Sequence, residues 1–249
     1  MRRILKTENR VKADISPAPR PKEIRKTVSC GSLPSAISDP LGLSFPREMI
    51  YNRLMETVHW NRLVKETRLV KVYHFIEIDS TNNRARTYLT RARKPLAGPV
   101  LFAADRQTAG RGRGDHSWWS PGGGLFLSYA ARRSEFGMPN GESVEISLLT
   151  AQAVAQTIRR QFPPQRSKPL SVRVKHPNDV LLNGRKVCGI LIESPEPETV
   201  IIGIGINLNT AKSPVPEELR ERYISVEQTL GKTLAPLEFV TELTQRLFP

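Results

Sequence analysis

Residues 171–207 hold four short apolar runs, Ser171–Lys175, Val180–Leu182, Lys186–Glu193 and Thr199–Asn207, with only tight turns between them. Strands this close together pair antiparallel, because a parallel crossover needs a dozen or more residues. Asn183-Gly184 occupies one of the gaps, and this dipeptide supplies the two positive-φ positions of a two-residue hairpin turn. The meander argues for an α/β (α+β) fold, a mixed and largely antiparallel sheet with helices packed against it. It argues against a doubly wound parallel sheet.

The rest of the chain supplies the helices and the remaining strands. Val70–Ile78 is β-rich and runs into Asp79-Ser80-Thr81-Asn82, which reads as the N-cap of a helix over 81–92. Pro99–Asp105 and Gly124–Ala131 read as two more strands, with a loop rich in Gly and Arg between them. Val144, Leu148, Ala151, Ala155, Ile158 and Phe162 step by four and three, the mark of an amphipathic helix. Glu142 and Glu145 lie at its positive end, and Pro163-Pro164 stops it. Ile50, Leu54, Val58 and Leu63 predict a helix over 47–66, and Leu237, Val240, Leu243 and Leu247 another over 236–247. Residues 1–45 carry five of the prolines and no periodic apolar pattern, so they read as a loosely ordered tail before a domain spanning 46–249.

Composition narrows the class. A chain of 249 residues that is 39% hydrophobic can fill a core, and no apolar run reaches the roughly 18 residues of a membrane helix. Met1-Arg2-Arg3-Ile4-Leu5 lacks the apolar stretch of a signal peptide, and Glu8, Asp14 and Glu23 make a poor transit peptide. The two cysteines, Cys30 and Cys188, form neither a disulfide framework nor a metal-ligand pattern. These features point to a reducing, cytoplasmic setting. The net charge is +14, and residues 1–45 contribute nine Lys and Arg against four Asp and Glu. Such a balance suits a solvated surface, and equally a polyphosphate or nucleic-acid partner.

Two clusters carry chemistry. Gly110-Arg111-Gly112-Arg113-Gly114 lies between two predicted strands. Glycines let backbone N–H groups approach an anion, and the arginines add charged, two-pronged donors. Neither a Walker loop nor a dinucleotide fingerprint is present. Taken alone, the segment could equally be an RNA-contacting loop or a plain hairpin. Trp118 and Trp119 beside it could stack on a purine or pack in the core. The second cluster is Lys175-His176-Pro177-Asn178-Asp179, with Lys186 seven residues after Asp179. Asn178 and Asp179 offer oxygens to Mg²⁺ or to ligand N–H groups, although such a turn is commonly just solvated. A lysine at the edge of an apolar strand holds its charge toward a partly dry cleft.

Together these segments resemble the catalytic domain of biotin–protein ligases. The resemblance rests on collinear motifs: Ser80-Thr81-Asn82, Gln107-Thr108-Ala109-Gly110-Arg111-Gly112-Arg113, Trp118-Trp119-Ser120-Pro121, Val172–Val180, Arg185–Glu193 and Ile202–Leu208. It covers about residues 70–247. It implies an α/β fold related to class II aminoacyl-tRNA synthetases, and an enzyme that uses ATP and Mg²⁺ to adenylate biotin and pass it to a lysine of a biotin carboxyl carrier protein. Carried onto this chain, it assigns the ureido ring to Ser80, Thr81 and Gln107, with Asn82 and Gly189 in the same biotin set. Arg111, Gly112 and Arg113 would order over biotin and the adenylate. Lys186 and Lys175 would hold the carboxylate and α-phosphate. Asn178 and Asp179 would position the triphosphate, with Asp179 as the metal contact. Trp118 would lie against adenine, and Asn207 would read its edge.

The chain also departs from the family pattern. Gly114-Asp115-His116 stands where a further Arg and Gly are usual, and His176 replaces a tryptophan. Residues 1–45 do not read as a winged helix-turn-helix, and the chain stops at Pro249, where a small β-barrel domain is expected to follow. Two alternatives stand beside the biotin reading: a lipoate or octanoate ligase of the same fold, and a non-catalytic basic paralogue that binds nucleic acid. The biotin reading expects neither a nucleic-acid nor a membrane partner, and leaves a homodimer open.

Overall fold

The computed structural model describes residues 60–92, 95–137, 142–164 and 170–249. The tail at 1–45 and most of the helix expected over 47–66 fall outside these residues; the part described, 60–66 (α1), is helical. The elements that follow are β1 (Lys71–Ile78), α2 (Thr81–Arg91), β2 (Val100–Gln107), β3 (Leu125–Arg132), α3 (Ser143–Arg160), β4 (Val172–Lys175), β5 (Asp179–Leu182), β6 (Arg185–Glu193), β7 (Thr199–Ile206), α4 (Val226–Leu230) and α5 (Pro236–Leu247).

The strands form one seven-stranded sheet in the order β1-β2-β3-β7-β6-β5-β4. Only β1 and β2 run parallel, joined by α2 as the crossover, and the other five pairings are antiparallel. The sheet is therefore mixed and largely antiparallel, as the meander predicts. Asn183 and Gly184 both take positive φ, 50° and 81°, in the β5–β6 turn.

Side-chain alternation assigns the two faces of the sheet. In β7, Val200, Ile202, Ile204 and Ile206 enter the main core with Ile146, Val154 and Ile158 of α3 and Phe239, Val240 and Leu243 of α5. Ile201, on the opposite face, packs with Ala85 and Leu89 of α2. The next residues on that opposite face are Gly203 and Gly205, which leave the sheet there bare of its own side chains, so that Asn82 at the start of α2 and the Trp118 indole come down onto the backbone.

Three details differ from the sequence reading. Val144 is in phase with the α3 stripe but is 43% exposed, and burial begins only at Ile146. Ser80 occupies the N-cap position of α2 with extended backbone, yet its side chain makes no capping hydrogen bond. The five-residue helix α4, capped by Ser225 and Gln228 through reciprocal hydrogen bonds, is too short for periodicity to reveal.

Candidate active site

The bare patch of sheet forms the floor of a cleft. Gly189 and Leu191 of β6 and Gly203 and Gly205 of β7 line it, with Phe126 and Leu127 of β3 beside them. The indole of Trp118 lies directly on the two glycines: a Cβ added at Gly205 would sit 2.5 Å from its Cε2 and Nε1, and one at Gly189 2.8 Å from its Cζ3. Any larger residue at either position would push the ring away. With Trp118 so placed the cavity measures about 50 Å³, far below the roughly 300 Å³ at which pockets begin to bury a sizeable ligand. The Trp118 Nε1–H is buried with no hydrogen-bond partner.

One end of the cleft is polar and tightly connected. Ser80, Thr81 and Asn82 are buried at the start of α2. The Gln107 side-chain oxygen accepts from the Thr81 backbone N–H at 2.9 Å and from its hydroxyl at 3.1 Å. Gln107 Nε2 donates to Ser120 Oγ at 3.1 Å, and Ser120 in turn donates to the Trp118 carbonyl at 3.0 Å. Ser128 Oγ lies 2.8 Å from Thr81 Oγ1 and 2.5 Å from Asn82 Oδ1. A Cβ at Gly203 would collide with the Asn82 amide, so that glycine gives Asn82 its room. Small directional partners held this firmly suit a compact polar head group.

The cations come from two directions. Lys186, near the start of β6, has its backbone bonded on both sides: its N–H to the Arg222 carbonyl at 2.6 Å, and its carbonyl to the Ile224 N–H at 3.3 Å. Its Nζ lies 2.7 Å from Asp179 Oδ1 and 5.3 Å from the centroid of the Trp118 ring. Arg111 and Arg113 stand on a narrow hairpin closed by the Arg111–Ser117 bridge, the Gly112 N–H to His116 carbonyl bond at 2.7 Å and the Trp118 N–H to Gly110 carbonyl bond at 2.9 Å. Arg113 forms no ion pair among the described residues, whereas Arg111 is held by Glu193 at 2.8 Å and Asn83 at 3.0 Å.

Glu193, at the end of β6, is a member of the site that the sequence reading left unassigned. Burial pushes its carboxyl up, but hydrogen bonds from Asn82 and Arg86 and the charges of Arg111 and Arg86 outweigh that and hold it below the usual carboxylate value. Folded-state depression means that its contribution to stability is present at neutral pH and is lost only on acidification below the ordinary glutamate range.

Most of the expected residues meet in this cleft: Ser80, Thr81, Asn82, Gln107, Arg111, Gly112, Arg113, Trp118, Asn178, Lys186 and Gly189 all line it. Asn178 spends its amide N–H on the Ile190 carbonyl at 3.1 Å. Three expected residues stand elsewhere. Lys175 is exposed on the edge strand β4, paired in register with Asp179. Asp179 reaches the cleft only through Lys186. Asn207 is buried and gives its Nδ2 hydrogens to the carbonyls of Lys186 at 3.2 Å and Ile224 at 3.1 Å. These donors hold β6 to the segment before α4. Trp119 packs edge-on against Tyr223 at 5.2 Å, so of the two indoles only Trp118 faces the cleft. The floor glycines Gly203 and Gly205 were missed in the sequence, where the signal that could find them is the Ile-Gly-Ile-Gly-Ile alternation at 202–206, a strand with one face stripped.

A mixed sheet whose glycine-lined face meets a cationic hairpin and a buried polar corner defines an α/β domain with a cleft lined by three cationic side chains. Residues 75–207, more than half of the chain, match the biotin/lipoate A/B protein ligase family. The chain belongs to that family. It is 34% identical over 166 residues to the bifunctional ligase/repressor BirA of Bacillus subtilis, covering 65% of this chain and 48% of that one. It is 32% identical over 170 residues to the biotin–[acetyl-CoA-carboxylase] ligase of Paracoccus denitrificans, covering 65% of each. The biotin protein ligase of Aquifex aeolicus, solved in complex with biotin and ATP, superposes with a TM-score of 0.58 at 28% identity, over 72% of this chain and 69% of that one. The chain thus spans about half the length of the first of these curated relatives. The class II synthetase-like fold implied by the sequence resemblance is the fold observed.

Proposed function

We propose that residues 46–249 form a catalytic domain that adenylates biotin with ATP and transfers it to a lysine of a biotin carboxyl carrier protein, in a reducing cytoplasm. The observation that carries this reading is the meeting, in one cleft, of a buried polar corner (Thr81, Gln107) with three cationic side chains (Arg111, Arg113, Lys186). The polar corner fits the ureido ring of biotin, and the cations fit its carboxylate and an α-phosphate. The curated relative from Paracoccus denitrificans is by name a biotin–[acetyl-CoA-carboxylase] ligase.

In the first step a carboxylate oxygen of biotin attacks the α-phosphorus of ATP, and pyrophosphate leaves. Charge builds on the phosphoryl oxygens, and cations fixed in advance stabilise that state more than the ground state. Lys186 is the residue best placed for this, because its backbone is bonded on both sides and its ammonium already faces the cleft. Ser80, Asn82 and Gly189 shape the biotin pocket, with Trp118 moving off its glycines toward the adenine as biotin enters. Mg²⁺ would neutralise charge on the triphosphate, and Asn178 and Asp179 are the residues whose oxygens would hold it. Lys175, exposed on β4, would reach the triphosphate from outside. In the second step the neutral carrier amine attacks the carbonyl of the mixed anhydride, AMP leaves, and the amine loses a proton to solvent.

The test is biotin-dependent exchange of labelled pyrophosphate into ATP by the full chain, with lipoate as the comparison acid. Exchange with biotin alone is expected. Exchange with lipoate alone would assign the domain to the lipoate branch of the family, and no exchange from folded protein would overturn the enzymatic reading.

A further inference from the structure

Beside the Trp118 indole on Gly189 and Gly205, the Arg/Gly hairpin is fastened to the sheet by an ion pair with Glu193. The Glu193 side chain is only 10% exposed. A carboxylate that buried needs partners, and it has three: Asn82 Nδ2 at 2.8 Å on one oxygen, and the guanidinium groups of Arg86 at 2.7 Å and Arg111 at 2.8 Å on the other. Arg111 completes its grip with Asn83 Oδ1 at 3.0 Å. Because Arg111 is also bridged to Ser117 across the neck of the hairpin, holding its side chain holds both sides of the neck. Arg113, two residues on, projects into the cleft without an ion pair of its own among the described residues.

We propose that Glu193 is a positioning residue for this hairpin: its carboxylate clamps Arg111 at the neck and so sets where Arg113 reaches into the cleft. The strand that carries Lys186 at its start carries this clamp at its end, so β6 ties the fixed cation and the loop cation to one ruler. The charge arithmetic gives the direction of failure. Two arginines share one carboxylate, and neutralising it leaves Arg86 and Arg111 facing each other with no anion between them, which drives the hairpin off the sheet. Asn82, seated against Gly203, fixes the carboxylate from its other oxygen, so the clamp is built from α2, β6 and β7 together. What Arg113 does in the cleft rests on the function proposed above; the clamp does not.

Amide hydrogen exchange on the full chain, without substrates, tests the clamp. Glu193→Gln should speed exchange at Gly112, His116 and Trp118 by about three- to tenfold, the charge-assisted bond being discounted for the half-exposed Arg111. Protection across β6 and β7 should be unchanged, and Glu193→Asp, which keeps the charge, should restore most of the protection in the hairpin. Combining Glu193→Gln with Arg111→Leu should add nothing to Arg111→Leu alone. Unchanged exchange in the hairpin would overturn the proposal. So would loosening spread evenly through β6 and β7, or no recovery with aspartate. Because the readout needs no biotin or ATP, a chain that fails the pyrophosphate exchange can still pass this test, and the reverse.

Discussion

Lys186 and Arg113 bring positive charge to the same cleft from opposite kinds of backbone. Lys186 sits in β6, hydrogen-bonded to the segment 222–224 and paired with Leu181 of β5, its ammonium against Asp179. Arg113 rides on a hairpin of a few residues, joined to the sheet through its neck. A cation fixed in the sheet costs no reorganisation when charge develops, which is what transition-state stabilisation needs. A cation on a loop can order after the ligand arrives, which is what retention of a reactive intermediate needs. Under the proposed function, the two sides of the cleft would divide these tasks.

Substitutions can break that division. Lys186→Ala should cost the most, lowering pyrophosphate exchange by roughly 10²- to 10³-fold while thermal unfolding shows the fold intact; exchange within a few-fold of the parent would mean that the fixed cation is not the one that matters. Gly205→Ala comes next. Its Cβ would meet Trp118 at 2.5 Å, and overpacking of this kind costs about 1–3 kcal/mol, read as a lowered melting temperature; an unchanged value would show that the indole slides freely over the sheet. Arg113→Gly should have the mildest effect on adenylate formation but raise escape of the adenylate by about tenfold, seen as labelling of bystander lysines. Labelling confined to the carrier would place retention on the sheet side, and the comparison would collapse.

The sheet side was the more legible half in the sequence, for a physical reason. β6 and β7 announce themselves by local alternation and by Asn183-Gly184, whose backbone demand is met within two residues. Ser80, Gln107 and Lys186 were assigned by the family resemblance, and each sits at or next to the end of a strand that the pattern locates. The clamp could not be found this way. Glu193 meets Arg111 and Arg86 across separations of 82 and 107 residues, and nothing local distinguishes these from ordinary surface charges. The bonds of Asn207 were hidden for a similar reason: its donors meet the carbonyls of Lys186 and Ile224, which only the fold brings close.

The indole resting on Gly189 and Gly205 bears on the thermodynamics of binding. It already covers the apolar floor that a flat ligand would cover, so little new greasy surface leaves water when one ring replaces another. Heat-capacity change on binding tracks the apolar area dried. The cleft is therefore set up for association with a small heat-capacity change, its selectivity resting on the polar corner and the cations and owing little to hydrophobic gain. A site of this kind discriminates by which hydrogen bonds a ligand can complete, with a binding enthalpy that changes little with temperature.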